Sequence, residues 1–190
     1  MNSLSQKWDA IYRQREGNNT EPASVLSQHT YLLPTSGLAL DLACGLAANA
    51  FLLAQYGLCV DAWDISSVAI EQVKKKACQL TQINPKLVDI SEAQFLQNHY
   101  DVIVVSRFLD RQLIPKLINA LKPQGLIFYQ TFTVAKSHSN GPSNPDFLLR
   151  RNELLTLFAE LVTVFYREDD NIGNSQLGLR NEAMLVAQKP

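Results

Sequence analysis

Residues 38–54 read LALDLACGLAANAFLLA. An apolar run that contains one acid, Asp41, is followed by a short turn around Gly45 and then by an apolar stretch of helical character. This order predicts a buried strand, a turn of the nucleotide-binding type and a helix. Loops that bind phosphate groups usually hold several glycines, whereas this turn holds only one.

The single glycine argues against the two common phosphate-binding loops. A P-loop needs Lys followed by Ser or Thr after its last glycine, but residues 45–49 are Gly-Leu-Ala-Ala-Asn. A dinucleotide loop needs the spacing G-x-G-x-x-G, and here Ala47 and Ala48 would crowd a pyrophosphate. A cofactor whose nearest part is an amino acid, such as S-adenosylmethionine (SAM), tolerates this turn better. Asp41 is placed to accept a hydrogen bond from the ammonium group of SAM.

Strand-like and helix-like segments alternate along the rest of the chain. Strands are predicted at 38–43, 58–63, 86–88, 101–105, 126–132, 161–166 and 183–188, and helices at 47–56, 67–80, 113–121 and 145–158. This alternation predicts an α/β fold with a doubly wound, mostly parallel sheet. Ligands of such sheets bind beyond the carboxyl ends of the strands. The polar residues at or near those ends are Asp41, Asp64, Asp89 and Ser106.

Two acids after the second and third predicted strands are candidate cofactor contacts. Asp64 lies 23 residues after Asp41, and its two oxygens can accept hydrogen bonds from both hydroxyls of a ribose. An acid just before Ser66 also suits the capping of a helix. Asp89 can accept a hydrogen bond from an adenine amino group, or it can form a turn with Ser91. Both interpretations of each acid stay open at this point.

Length and composition indicate one domain, residues 1–190, with a head at 1–36 and an α/β core at 37–190. The net charge of -1 and the pI of about 6.3 disfavour a nucleic-acid partner. No apolar run reaches the ~20 residues of a membrane span, and the N-terminus does not resemble a secretion signal. Three cysteines without metal-ligand spacing are typical of reduced thiols. We therefore expect a cytoplasmic protein without a metal site or a membrane partner.

Motifs along nearly the whole chain resemble those of the class I SAM-dependent methyltransferases. More narrowly, they are similar to the small bacterial group related to the tellurite-resistance methyltransferases. The stretches that carry the resemblance are Trp8-Asp9 with Tyr12 in the head, ALDLACG (39–45), VDAWDIS (60–66), YDVIVVSRFLDR (100–111), LKPQGLIFYQTFT (121–133) and NPDFLLRRNELL (144–155). The resemblance implies a Rossmann-like fold of seven strands with helices on both faces and an antiparallel last strand, and SAM as the cofactor.

The resemblance also implies which residues contact SAM. It assigns the methionine part to Asp41, Ala43, Gly45 and Asn49, the ribose and the adenine edge to Asp64 and Ile65, the adenine to Asp89 and Ile90, the floor beneath it to Ser106 and Arg107, and the cover to Trp8 and Tyr12. Cys44 and Ser66 belong to the same two motifs and complete the expected site. Cys44 is expected to act there as a small apolar filler.

Two departures from the family pattern leave an alternative open. Ala47 stands where relatives often have glycine, and Ile11 stands where relatives often have arginine. A SAM-binding sensor or interaction domain with weakened catalysis is therefore the second hypothesis. A nicotinamide-dependent oxidoreductase is the third, but the turn lacks the required glycines and no catalytic Tyr-Lys or His-Asp pair is evident.

The expected reaction is transfer of the SAM methyl group to a small-molecule acceptor. The sulfonium is already a strong electrophile, so the protein mainly has to align the acceptor for in-line attack. No residue is assigned as catalytic, and the three histidines are expected at the surface: His29, His99 and His138. The acceptor pocket is expected near residues that follow the fourth and fifth strands, such as Arg111, Tyr129 and Thr131. The acceptor atom and the oligomeric state, including a homodimer, stay open.

Overall fold

The computed structural model describes residues 3–14, 21–136 and 141–190. Its strands are β1 (Gly37–Leu42), β2 (Leu58–Asp64), β3 (Ile83–Leu87), β4 (Tyr100–Ser106), β5 (Leu121–Phe132), β6 (Val162–Arg167) and β7 (Glu182–Gln188). Its α-helices are α1 (Ser3–Gln14), α2 (Ser24–Ser27), α3 (Ala48–Gln55), α4 (Ser67–Lys76), α5 (Ile114–Ala120) and α6 (Glu153–Leu157). Short 3₁₀ turns lie at Thr30–Leu32, Arg111–Leu113 and Pro145–Phe147.

The seven strands form one sheet in the order β3-β2-β1-β4-β5-β7-β6. Strands β1 to β5 pair in parallel, whereas β7 runs antiparallel to both of its neighbours, β5 and β6. The predicted α/β fold with a mostly parallel seven-stranded sheet and an antiparallel last strand is confirmed. Because β1 lies between β2 and β4, the strand order reverses there, and ligands of doubly wound sheets bind at such a point.

Helices cover both faces of the sheet, which explains why its central strands are apolar on both sides. One face packs against α2, α3 and α4 through side chains such as Val25, Leu53 and Ile70. The other face packs against α5 and α6 through side chains such as Leu117 and Phe158. Alternation along the strands sends Asp41, Asp64 and Ser106 toward the face that carries α3.

The helix predicted within Pro145–Phe158 is present but covers only the last part of this range. The structure has a 3₁₀ turn at Pro145–Phe147, an extended stretch through Leu148 and Leu149, and only then α6. Leu149 leaves the helical path because its N–H donates to the carbonyl of Phe132 at 2.8 Å, which joins the segment to the end of β5. Asn152 then takes a left-handed conformation, with φ of 59°, directly before α6.

Smaller differences concern the ends of three elements. Helix α4 stops at Lys76, so Leu80 lies beyond it and is exposed rather than on its inner face. Strand β3 starts three residues earlier than predicted, at Ile83. Strand β5 starts at Leu121, five residues earlier than predicted, and its pairing with β4 is irregular between Tyr100 and Val102.

The head residue His29 is buried, so its predicted surface position is wrong. Only 5% of it is exposed, its Nδ1 hydrogen-bonds to the carbonyl of Val25 at 2.9 Å, and its ring centroid lies 4.2 Å from that of Phe165. His138 lies outside the described residues. Within the described ranges, no helix is long and apolar enough to cross a membrane.

Candidate functional site

The acid of the first strand, Asp41, is completely buried beneath the start of α3. Its Oδ1 accepts a hydrogen bond from Asn49 Nδ2 at 3.2 Å, and its Oδ2 accepts one from the N–H of Ala50 at 3.1 Å. Burial raises the pKa of Asp41 to about 7, against these two hydrogen bonds and with a further rise from the nearby charge of Asp64. Asp41 thus ties the end of β1 to the start of α3 by hydrogen bonds. Its direct contact with an ammonium group stays a prediction.

The turn after β1 uses left-handed backbone at three positions, Ala43, Gly45 and Ala47, with φ of 54°, 55° and 61°. Such angles cost a residue with a side chain about 1–2 kcal/mol, which glycine avoids. Ala47 lies directly before α3 with its methyl group fully buried. Cys44 is also buried, in agreement with its expected role as an apolar filler, and burial raises the pKa of its thiol. The turn therefore keeps its shape without the glycines of a dinucleotide loop.

The acid at the end of β2, Asp64, joins the turn to the next loop. Its Oδ2 accepts the N–H of Gly45 and its Oδ1 accepts the N–H of Ser66, both at 2.8 Å. Only 5% of Asp64 is exposed, and burial raises its pKa despite these hydrogen bonds. The N–H groups of Gly45, Ser66 and Ile65 all hydrogen-bond to this carboxylate, which has acceptor sites for about four. Asp64 can therefore still accept one hydroxyl of a ribose.

The residues predicted around the adenine lie along the same edge of the sheet. Ile65 is half-buried and Ile90 is buried. Asp89 Oδ1 accepts both the N–H of Ser91 at 3.1 Å and its hydroxyl at 2.7 Å, so Asp89 does form the turn that was the simpler interpretation. Its contact with adenine stays a prediction.

Asn49 connects three parts of the site. Its Nδ2 donates to Asp41 Oδ1 and to Ser106 Oγ, both at 3.2 Å, and its Oδ1 accepts the N–H of Ala23 at 2.8 Å. The side chain thereby links the ends of β1 and β4 to the head. It is 4% exposed, so these hydrogen bonds are buried within the protein.

One aromatic residue of α1, Tyr12, lies against the turn, and Trp8 packs beside it. Their rings stack with centroids 6.0 Å apart. The Tyr12 hydroxyl lies so close to Gly45 that a Cβ added at this glycine would be 2.5 Å from it. This contact gives Gly45 a second reason to be glycine, and the cover of the cofactor by Trp8 and Tyr12 stays a prediction.

A polar cluster that the sequence did not predict lies at the ends of β5 and β7. Gln130 is buried, its Oε1 accepts the N–H of Val25 at 2.8 Å, and its Nε2 donates to Glu182. Arg107 Nε donates to the same carboxylate at 3.3 Å, although 69% of the Arg107 side chain is exposed. Arg107 also has left-handed backbone, with φ of 53°. Its guanidinium therefore points to Glu182, and its place beneath the adenine stays a prediction.

Arg111 clamps the segment that follows β5. Its Nε and Nη2 donate to the two oxygens of Glu153 at 2.8 and 2.9 Å, and Nη1 and Nη2 donate to the carbonyls of Asp146 and Leu148 at 2.7 and 2.9 Å. These contacts explain an arginine at this position as a structural tie between residues 111 and 153. The Tyr129 hydroxyl donates to the carbonyl of Phe108 at 2.9 Å, so it joins β5 to the loop that follows β4.

Sequence reasoning thus missed three residues: Asp9, Gln130 and Glu182. The Trp8-Asp9 pair was noticed only as part of a motif, and nothing in the local sequence around Glu182 marks it. Among the described residues, no group of three His, Cys, Asp or Glu side chains is arranged to hold a metal ion.

Comparisons with known proteins agree with this geometry. The model of the family described as tellurite resistance protein TehB matches residues 9–177. TehB from Haemophilus influenzae superposes with a TM-score of 0.72 at 21% identity, over 96% of this chain and 67% of that one. An SAM-dependent methyltransferase from Mesorhizobium loti gives 0.69 at 14% identity, over 88% and 99%. No curated protein matches the chain.

Structural similarity alone does not determine which reaction a protein of this fold catalyses. The [4+2]-cyclase SpnF superposes with a TM-score of 0.74 at 15% identity, over 98% of this chain and 95% of that one. The predicted Rossmann-like fold and the predicted resemblance are both confirmed. Family and fold together place the chain among the SAM-dependent methyltransferases, with SAM as the cofactor.

Proposed function

The chain belongs to the tellurite resistance protein TehB family, and we propose that it transfers the methyl group of SAM to a small-molecule acceptor by in-line displacement. The observation that carries this proposal is the pair of buried acids, Asp41 and Asp64, on either side of the one-glycine turn. Two neighbouring acids beside a turn with one glycine do not suit a pyrophosphate. They suit a ligand that offers hydroxyl groups and an ammonium group, which SAM does.

The donor and acceptor groups around the turn fit SAM. Asp64 has acceptor capacity left for a ribose hydroxyl, and the Ser106 hydroxyl lies at the end of β4 beside Asn49. The Tyr12 hydroxyl lies against Gly45, and the Trp8 ring stacks on that of Tyr12. When bound, SAM supplies an electrophilic methyl group on a sulfonium centre. These residues orient it.

The acceptor is proposed to lie on the side of β4, β5 and β7. Strand order places this region next to the turn, and the Arg111 clamp folds residues 144–153 back toward it. The near-neutral charge of the chain supports a small molecule over a nucleic acid. The lack of a spanning helix among the described residues is compatible with the proposed cytoplasmic location.

Binding and turnover measurements test the proposal in two steps. Thermal-shift titration with SAM, with S-adenosylhomocysteine and with NAD is expected to raise the Tm with the first two ligands only, because ligands that bind the folded state stabilise it. A shift with NAD alone would favour the oxidoreductase instead. The second step follows methyl transfer from labelled SAM across thiols, amines, carboxylates and metalloid oxyanions, where turnover is expected with at least one class.

The sensor hypothesis makes the opposite prediction in the second step. It expects binding of SAM and no transfer to any acceptor class. Ala47 and Ile11 were its basis, and Ala47 fits its left-handed position within a closed turn. Ala47 thus gives no reason to expect a weakened site, and methyl transfer is the better proposal.

A further inference from the structure

Asp9 holds the head helix α1 against the core at one place, the start of α4. Its Oδ1 accepts the hydroxyl of Ser66 at 2.6 Å and the N–H of Val68 at 3.2 Å, and its Oδ2 accepts the hydroxyl of Ser67 at 3.1 Å. The first turn of a helix has N–H groups without partners in the helix, so an acid placed there is stabilised. Asp9 therefore caps a helix that lies 57 or more positions away in the chain.

Ser66 also links Asp9 to Asp64, the acid that is proposed to bind the ribose. Ser66 donates its hydroxyl to Asp9, and its own N–H donates to Asp64 Oδ1. Partial burial raises the pKa of Asp9, but the hydrogen bonds from Ser66, Val68 and Ser67 outweigh it and leave this pKa below its usual value. The carboxylate is therefore ionised at neutral pH, where its hydrogen bonds are strongest.

The docked helix covers the place where a nucleoside would enter. Gly45 is buried with the Tyr12 hydroxyl against its Cα, and Asp64 is almost completely buried. A second hydrogen bond, from Gln72 Nε2 to the carbonyl of Tyr12 at 3.2 Å, fixes the C-terminal half of α1 to α4. A ribose can therefore reach Asp64 only when α1 moves away from the turn.

We infer that Asp9 is a latch: its contacts with residues 66–68 keep α1 closed over the cofactor site, and their release sets the rate at which SAM and its product exchange. This inference rests on the proposed function for the identity of the ligand. Asp9 is a positioning residue, since it contacts the start of α4. Its contacts are independent of the ligand, so they hold the free and the bound protein closed alike.

Hydrogen exchange on the ligand-free protein tests the latch without reference to SAM. In Asp9→Ala, the amides of α1 are expected to exchange at least fivefold faster than in the wild type, while those of α5 are unchanged. Gln6→Ala is the matched control, because Gln6 is an exposed residue of the same helix, and it leaves α1 exchange unchanged. Ser67→Ala removes only one contact and is expected to give a smaller change in the same direction.

Stopped-flow binding of S-adenosylhomocysteine, followed by tryptophan fluorescence, tests the consequence. Both the association and the dissociation rate are expected to rise at least tenfold in Asp9→Ala, because the variant loses three hydrogen bonds to a charged group and the loss of one such bond already corresponds to about a tenfold change. The Kd is expected to change less than threefold, because the latch is lost in both states. A purely structural residue would lower the affinity without raising the association rate.

The outcomes separate this inference from the proposed function. Unchanged α1 exchange in Asp9→Ala, or unchanged binding rates with a loosened α1, would overturn the latch even if the ligand binds. A tenfold weaker Kd with an unchanged association rate would make Asp9 a binding residue and also overturn it. If the wild type binds no S-adenosylhomocysteine, the proposed function fails, and hydrogen exchange still decides whether Asp9 holds α1.

Discussion

The two halves of the functional edge hold their polar side chains in different ways. In the β1–β2 half (residues 41–50 and 64–66), Asp41 and Asp64 accept main-chain N–H groups no more than 19 positions away. In the β4–β5 half (residues 106–111, 130–133, 144–153 and Glu182), the side chains of Arg107, Arg111 and Gln130 meet partners 35 to 105 positions away, as in the Arg111 clamp and the contact of Gln130 with Val25.

The β1–β2 half is therefore formed mainly by short stretches of the chain, whereas the β4–β5 half is brought together by tertiary packing. A strand followed by a tight turn brings an acid and the N–H groups of the turn together within one short segment. The β4–β5 half exists only when β5, β7, the head and residues 144–153 have all packed. We therefore expect substitutions in the β1–β2 half to alter the titration behaviour and cofactor binding of the protein, and substitutions in the β4–β5 half to alter its stability.

The largest expected effect is a pH dependence of the free energy of unfolding, which comes from the titration of Asp41. Its pKa is raised to about 7 by burial, whereas the unfolded chain ionises this group near pH 4. Between these values the folded state binds more protons, so the free energy of unfolding falls as the pH rises, by on the order of 4 kcal/mol for this group. Urea denaturation of the wild type from pH 4 to 8 measures the fall.

Asp41→Asn is the control, because it removes the titrating group and keeps an oxygen that can accept the N–H of Ala50. Its unfolding free energy is expected to vary less with pH across the same window. If the unfolding free energies of the wild type and Asp41→Asn change with pH in parallel, Asp41 titrates normally. The β1–β2 half would then have no special titration behaviour.

The next effect is the loss of the Arg111 clamp. Arg111→Ala is expected to lower the free energy of unfolding by about 2 kcal/mol, because four hydrogen bonds are lost and Glu153 keeps an uncompensated charge. This figure already allows for the 34% exposure of the side chain. Chemical denaturation measures it, with hydrogen exchange in residues 144–153 as a local probe.

Arg107→Ala is the matched comparison for the clamp in the same half. Arg107 is more exposed and makes one longer contact with Glu182, so its loss is expected to cost less than about 0.5 kcal/mol. Equal losses for the two arginines would mean that the number of contacts does not decide their contribution.

Cofactor affinity gives the third effect. Asp64→Ala is expected to weaken SAM binding at least tenfold, about 1.4 kcal/mol, through the loss of hydrogen bonds to a charged group. Isothermal titration calorimetry measures the Kd. The control is Asp61→Asn in the same strand, since Asp61 contacts Asn84 and Tyr100 on the opposite face of the sheet. A folded Asp64 variant with unchanged affinity would exclude Asp64 from the site.

The smallest effect concerns the alanines of the turn. Glycine relieves about 1 kcal/mol of left-handed strain, but a fully buried methyl group contributes about 0.8 kcal/mol. Ala47→Gly is therefore expected to be neutral within about 0.5 kcal/mol, whereas Ala43→Gly, at a half-buried position, is expected to stabilise by up to about 1 kcal/mol. Thermal unfolding checks both, and a Tm for Ala47→Gly above that of Ala43→Gly would contradict this account.

The fold was predictable because its strands and helices carry local patterns. Buried strands such as 101–105 read as apolar runs, and the helix at 67–76 shows an apolar face after a capping serine. The excess length of the helix predicted at 145–158 has the opposite cause. Residues 148 and 149 suit a helix by composition, but hydrogen bonds to the main chain of Phe132 and Val134 and to the guanidinium of Arg111 hold them extended.

The sequence by itself determined the one-glycine turn, the acids that follow β1 and β2, and the alternation that builds the sheet. These features depend on residues that are close together in the chain. Only the tertiary structure decided that Asp9 caps α4, that Gln130 and Glu182 share a buried contact, and that His29 lies inside. These contacts join residues far apart in the chain, and no local pattern encodes which distant groups packing will bring within hydrogen-bonding distance.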